Sequence, residues 1–170
     1  MSSVILIGMP GAGKSTIGVI LAKSMLLPFV DTDLLIQQRE QMTLCEIIEQ
    51  KGRNYFLSCE QECITGQRFE DCVVATGGSV VYSEASMRYL KQFGLVVYLK
   101  VTPRVLRRRI RNFTTRGIVT FGAADIKSIY GERARLYEKY ADITIDCSHG
   151  NMESIVCNII KNVRGNNSKG

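Results

Sequence analysis

Val4-Ile5-Leu6-Ile7-Gly8-Met9-Pro10-Gly11-Ala12-Gly13-Lys14-Ser15-Thr16 is an apolar run, a glycine-rich turn and the opening of a helical pattern, in that order. Four apolar residues without polar alternation predict a strand buried on both faces, as in a parallel sheet. After the turn, Ile17, Ile20, Leu21 and Met25 recur at helical spacing, which predicts a helix over 14–26. Glycine and alanine at 8, 11, 12 and 13 let the chain wrap tightly, so that backbone N–H groups converge on phosphate oxygens. In that setting Lys14 is expected to reach the β and γ phosphates of a nucleotide, and the Ser15 hydroxyl to ligate Mg²⁺. A strand before the loop and a helix after it distinguish this stretch from an ordinary glycine-rich turn.

The same alternation continues outward. Strands are predicted at Pro28–Asp31, Cys72–Ala75, Leu95–Leu99 and Ile143–Asp146. Helical patterns fill 34–51, 54–69, Ser83–Gln92, the stretch from Pro103, Ala123–Tyr140 and Met152–Val163. Thr43 reads as a helix N-cap with Glu46 completing a capping box, Ser83 as another cap, and Pro103 as a first-turn proline. Strand–helix alternation predicts an α/β fold, a parallel sheet with helices on both faces. Ligands of such sheets gather at the carboxyl ends of the strands, so the residues after each strand are the ones to read for chemistry.

After the second strand come Asp31 and Asp33. On an extended segment they point the same way. Phosphoryl transfer needs an acid near the metal and a group that orients or deprotonates the acceptor. Asp33 also reads as the N-cap of the helix starting at Leu34, and a cap can contact substrate as well. Arg104, Arg107, Arg108, Arg109, Arg111 and Arg116 crowd one stretch. For Arg104, Arg107 and Arg108 a solvated helix face is expected. Arg116 differs: Gly117 follows it, periodicity is lost over 112–121, and a mobile lid that excludes water is expected there. His149 reads as a surface residue.

The remaining composition bounds the answer. The 170 residues suit one domain, expected over 1–164 with a flexible tail at 165–170. The formal net charge of +6 fits an acidic small ligand better than nucleic acid, because aromatic residues do not alternate with the basic ones. Six cysteines without Cys-x-x-Cys spacing, and a single histidine, argue against a zinc site and predict buried, reduced thiols. There is no basic leader and no membrane-length apolar run, so a cytoplasmic monomer is expected.

Taken together, Gly8–Thr16, Phe29-Val30-Asp31-Thr32-Asp33, Gly52 with Phe56 through Glu60, Thr76-Gly77-Gly78, Val97-Tyr98-Leu99, Thr115-Arg116 and Glu132-Arg133 with Leu136-Tyr137 resemble the shikimate kinases in order and spacing. The likeness runs from residue 4 to about 146. It implies five strands in a P-loop, nucleoside-monophosphate-kinase-like fold, and ATP-dependent phosphorylation of shikimate, a step of aromatic amino acid biosynthesis. By resemblance, Gly11, Ala12, Gly13, Lys14, Ser15 and Thr16 would cradle the ATP phosphates, with Mg²⁺ on Ser15 and, through water, Asp31. Asp33 would bind the acceptor hydroxyls and help remove a proton. Gly77 and Gly78 would bring backbone close to the acceptor, and Arg133 would pair with its carboxylate. Arg116 would contact ATP from the lid, and Arg109 would lie against the adenine.

The acceptor half departs from the family pattern. Leu57 stands where the family has a carboxylate-binding arginine, Arg53 where it has a glutamate, and Ser79 where a third glycine is usual. Gly117 follows Arg116 where proline is common. A kinase of another small hydroxylated acceptor, and a nucleotide-binding regulatory domain without turnover, therefore remain as alternatives; intact Asp33 and Arg133 argue against the second. Arg53 and Leu57 are one helical turn apart, so Arg53 is a candidate to supply the missing guanidinium.

Overall fold

All five residues of β1 (Ser3–Ile7) are buried, as an unbroken apolar run requires. The structure, a computed structural model, describes residues 2–109 and 126–167. From β1 the chain passes through α1 (Lys14–Met25), β2 (Phe29–Asp31), α2 (Thr32–Glu40), α3 (Leu44–Lys51) and α4 (Arg53–Thr65). It continues with β3 (Val73–Ala75), a 3-10 turn (Val80–Tyr82), α5 (Glu84–Lys91), β4 (Gly94–Lys100) and α6 (Pro103–Arg109). The last described elements are α7 (Ile126–Tyr140), β5 (Ile143–Asp146) and α8 (Met152–Asn167).

The sheet has five strands in the order β2-β3-β1-β4-β5. Every pairing is parallel, and Ile5 at the centre pairs with Val74 on one side and Val96 on the other. The expected α/β architecture is thus present. Strand ends are tied where the site will form. The Thr76 hydroxyl donates to the Leu6 carbonyl at 3.0 Å, and the Gly77 N–H donates to the Thr32 hydroxyl at 3.2 Å. These bonds hold the carboxyl ends of β1, β2 and β3 in one cluster.

Two apolar cores form. The larger joins β1, β3 and β4 to α1, α5, α7 and α8. A smaller one, built from Ile36, Leu44, Ile47, Phe56, Cys59 and Cys63, sits between α2, α3 and α4. Helix α3 opens with the expected capping box: Thr43 Oγ1 accepts from the Glu46 N–H, and Glu46 Oε2 accepts from the Thr43 N–H. Such a cap contributes about 1 kcal/mol. A surface ion pair closes the same subdomain, Lys51 Nζ and the Tyr55 hydroxyl both donating to Glu40 Oε2 at 2.7 and 2.9 Å.

Several boundaries differ from expectation. Helix α4 stops at Thr65, where the Gly66 N–H turns back to the Glu62 carbonyl, rather than running to 69. Helix α8 extends through Asn167, beyond Val163 and into the stretch expected as a tail. Arg116, the lid expected over 112–121 and residues 168–170 lie outside the described residues. All six cysteines are thiols, but Cys157 is exposed and Cys45 half-buried, so not every thiol is packed away. Arg104, Arg107 and Arg108 are exposed along α6, and His149 is exposed as well. No helix among the described residues is long and apolar enough to cross a membrane.

Candidate active site

The carboxyl ends of the strands open onto a cleft of about 550 Å³. One wall is the loop Pro10–Thr16; the other holds Asp33, Phe56, Thr76–Ser79 and Arg133. Gly13 sits at the N-cap of α1 with φ 96°, a left-handed conformation that favours glycine. No side chain caps this helix, which leaves its first N–H groups for an anion. Gly11, Ala12, Gly13, Lys14, Ser15 and Thr16 all line the cleft, as expected of a phosphate cradle.

Lys14 Nζ donates to the carbonyls of Gly8 at 2.8 Å and Met9 at 3.1 Å, which aims the ammonium across the loop mouth. Burial pulls its pKa down to about 8, although Asp33 and Asp31 oppose the shift. Ser15 and Thr16 are exposed, with their hydroxyls available. At one end of the cleft Arg109 joins the phosphate loop to the end of β5: its Nη1 donates to the Ala12 carbonyl at 3.4 Å and its Nη2 to the Cys147 carbonyl at 2.9 Å. Gly150, Asn151, Met152 and Ile155 line the same end.

The two aspartates divide their work differently from the sequence expectation. Asp31, the last residue of β2, is the N-cap of α2: its Oδ1 accepts from the Asp33 N–H at 3.0 Å. Asp33 lies inside the helix, not at its cap, and the segment joining them is not extended. Local signals favour either aspartate as cap; the earlier end of β2 decides it. Freed from capping, Asp33 lines the cleft, and burial raises its pKa to about 6 against the pull of Lys14. Asp31 is not among the cleft-lining residues.

Glu60 is a site-adjacent residue that sequence reasoning left without a role. It is fully enclosed on α4, and burial together with Asp33 pushes its pKa up to about 8. Its Oε2 accepts from the Ser79 hydroxyl at 2.8 Å. Its Oε1, like Asp33 Oδ1, is enclosed without a hydrogen-bond partner, and both oxygens lie within 3 Å of where a Cβ on Gly77 would stand. A side chain at 77 would have to displace both carboxyl groups. The available signal was an acid on the apolar stripe Phe56, Cys59, Glu60, Cys63.

Arg133 is 1 % exposed and lines the cleft. Its Nε donates to the Tyr82 hydroxyl at 3.1 Å, and its guanidinium carbon lies 5.2 Å from the Tyr82 ring centre. Beside it, Tyr137 donates to the Gly78 carbonyl at 2.6 Å and stacks on Tyr98. The structure therefore brings together Lys14, Asp33, Gly77, Gly78 and Arg133, as the sequence predicted. Leu57 does not reach the cleft; it lines a separate small pocket with Glu60, Ser79 and Tyr82.

Mg²⁺ binds in such sites through one or two protein oxygens plus substrate phosphates. The exposed Ser15 hydroxyl and the half-buried Asp31 carboxylate match that donor set. Among the described residues no group of three or more His, Cys, Asp and Glu could hold a metal by itself.

A phosphate cradle at the end of β1 facing a half-buried carboxylate and a buried guanidinium across one cleft defines a P-loop phosphotransferase that acts on a small molecule. The chain belongs to the shikimate kinase family, whose model matches residues 10–164. It is 35% identical over 167 residues to a shikimate kinase of Sulfurihydrogenibium sp. (strain YO3AOP1), covering 96% of this chain and 99% of that one. Among solved structures it superposes on the Acinetobacter baumannii shikimate kinase in complex with shikimate with a TM-score of 0.87, at 25% identity over 98% of this chain and 94% of the other. The Aquifex aeolicus shikimate kinase gives a TM-score of 0.83 at 30% identity, over 99% of each chain.

Proposed function

We propose that this protein transfers the terminal phosphoryl group of ATP to a hydroxyl of shikimate, giving shikimate 3-phosphate and ADP. The observation that carries the reading is the opposition of Lys14 and Asp33 across one cleft, the cation on the phosphate loop and the base on the acceptor wall. Asp33 takes the proton of the acceptor hydroxyl. With a pKa raised to about 6 it is ionised at neutral pH yet more basic than an ordinary aspartate. The oxygen then bonds to the terminal phosphorus as the bond to the bridging oxygen breaks and ADP leaves. Lys14 and the N–H groups of 11–16 hold the charge that develops on the phosphate oxygens. Ser15 and, through water, Asp31 would hold Mg²⁺, which would supply further neutralisation of that charge. Gly77 and Gly78 bring backbone against the acceptor, Arg133 pairs with its carboxylate and Arg109 packs on the adenine. Arg116 is assigned to the ATP phosphates on the family resemblance alone.

ADP release measured with shikimate, and with related hydroxy acids in parallel, tests this. Turnover with shikimate well above the acceptor-free rate is expected; no stimulation by shikimate overturns the reading. One observation favours a second one, a family member with another small hydroxylated acceptor: Leu57 places an apolar side chain, outside the cleft, at the family's arginine position. Stronger stimulation by another hydroxy acid in the same screen identifies that case.

A further inference from the structure

Gly77 and Gly78 have no side chains to pack, so the loop after β3 keeps its place on the acceptor wall through bonds made to its backbone and to its neighbours. The Thr76 hydroxyl donates to the Leu6 carbonyl at 3.0 Å. Tyr137 donates to the Gly78 carbonyl at 2.6 Å. The Gly77 N–H donates to the Thr32 hydroxyl at 3.2 Å. The last of these prolongs the sheet by one rung after its strands have parted. Asp31 pairs with Ala75, and the Val73 N–H donates to the Pro28 carbonyl at 2.9 Å. A parallel ladder repeats that bond at every second residue, so the next donors would be Ala75 to Val30 and Gly77 to the carbonyl of Thr32. Thr32, however, is the first residue of α2, and its carbonyl has turned into the helix. Its hydroxyl takes the Gly77 N–H instead. Thr32 is wholly buried, so solvent does not compete for that bond.

Both ends of the bond adjoin the chemistry. Asp33 follows Thr32 in the chain, and Asp33 Oδ1 lies 2.8 Å from where a Cβ on Gly77 would stand. The Gly77 backbone therefore covers the enclosed oxygens of Asp33 and Glu60. If Gly77 drifts, that cover lifts and water reaches the base. Reacting atoms must be held about 3–3.5 Å apart, and a misplacement of about 1 Å costs up to about 10²-fold in rate. A single hydroxyl between the two aspartates thus fixes the acceptor wall relative to the base.

We propose that Thr32 is a positioning residue for phosphoryl transfer, whose hydroxyl, by accepting the Gly77 N–H, holds the Gly77-Gly78 backbone against Asp33. The assignment rests on the reading of the protein as a kinase of a small hydroxylated acceptor. It separates three roles in three consecutive residues: Asp31 caps α2, Thr32 fastens the opposite loop, and Asp33 faces the acceptor.

Thr32→Ser, Thr32→Ala and Thr32→Val, assayed with shikimate and ATP, test it. Serine keeps the hydroxyl, alanine is close to serine in size without it, and valine matches threonine in shape without it. Thr32→Ser is expected to stay within threefold of the wild-type kcat. Thr32→Val fills the space, so that no water can take over, and is expected to lose about tenfold or more in kcat. It should also raise KM for shikimate several-fold and leave KM for ATP within twofold. Thr32→Ala should fall between the two, because the space it opens admits a water to the Gly77 N–H. A role in packing alone predicts another order, with Thr32→Val mildest and Thr32→Ser no better than Thr32→Ala. That order, a KM for ATP that rises in step with KM for shikimate, or a Thr32→Val enzyme within twofold of wild type overturns the proposal. Melting temperatures identify a variant that fails to fold. Should that be Thr32→Val, the serine and alanine variants decide, and equal kcat in those two overturns the proposal. A wild type inert toward shikimate and other hydroxy acids overturns the kinase reading, and the assignment of Thr32 falls with it.

Discussion

The Ser79 hydroxyl donates to Glu60 Oε2 at 2.8 Å, tying the loop after β3 to the buried face of α4. Both residues touch positions where this chain departs from its family, since Ser79 replaces a glycine and Glu60 lies three residues beyond Leu57. The bond supports a carboxyl group that gains little from being charged.

That group gives the free protein a defined pH response. Glu60 is raised to about 8 and Asp33 to about 6, so between their ordinary values and these the folded state binds more protons than the unfolded one. Stability contributed by the two falls as pH rises through that window. Lys14 is lowered to about 8, so from there toward its ordinary value of 10.5 the unfolded state binds more protons and stability rises again. Thermal melting across pH 5–10 without nucleotide should show a minimum near pH 8. Glu60→Gln should flatten the descending limb. A descending limb as steep in that variant as in the wild type counts against a protonated Glu60.

Lys14→Ala should reduce ADP release below a tenth of the wild-type rate. The same change should leave the melting temperature equal or higher, because it removes a charge whose burial outweighs the pull of Asp33 and Asp31. Steady-state assay and melting on one preparation separate the two effects; a rate above a tenth refutes the phosphate-loop assignment.

Asp33→Asn keeps size and helix position and removes the base. The expected loss in kcat is roughly 10²–10⁴. Since Asp31 carries the cap, the variant should melt no lower than wild type. An unchanged kcat would place the proton acceptor elsewhere.

Leu57→Arg adds a guanidinium to a pocket already bordered by Glu60, Ser79 and Tyr82. If Arg53 already supplies the second cation, this substitution should leave KM for shikimate within about threefold in the wild-type background. It should recover most of the loss in an Arg53→Ala background. A large improvement in the wild-type background means that the native site lacks a carboxylate clamp.

The phosphate loop was legible because local rules determine it: strand, tight turn and helix start are consecutive, and Lys14 and Ser15 follow at fixed offsets. Arg133 became legible only through its resemblance to a family, since nothing local distinguishes an inward arginine on α7 from the exposed Arg135 two residues later. Asp31 and Asp33 were confused because capping depends on which residue ends β2, a boundary set by pairing with β3. Glu60 was passed over because its environment is tertiary: Asp33 and Ser79, which surround it, are 27 and 19 residues away in the chain. Sheet order has the same origin, being a matter of non-local pairing rather than of any one segment's composition.

The small core of Ile36, Leu44, Ile47, Phe56, Cys59 and Cys63 has a consequence for inheritance. Helices α2 and α3 and most of α4 rest on it, while only Ile64 at the end of α4 joins the larger core that anchors the phosphate loop. Substitutions among them can drift, and acceptor preference with them, while the grip on nucleotide stays fixed. A lineage under pressure to handle a new metabolite would find its variation here, and a combinatorial library confined to residues 34–65 would be expected to yield folded, nucleotide-competent members at high frequency.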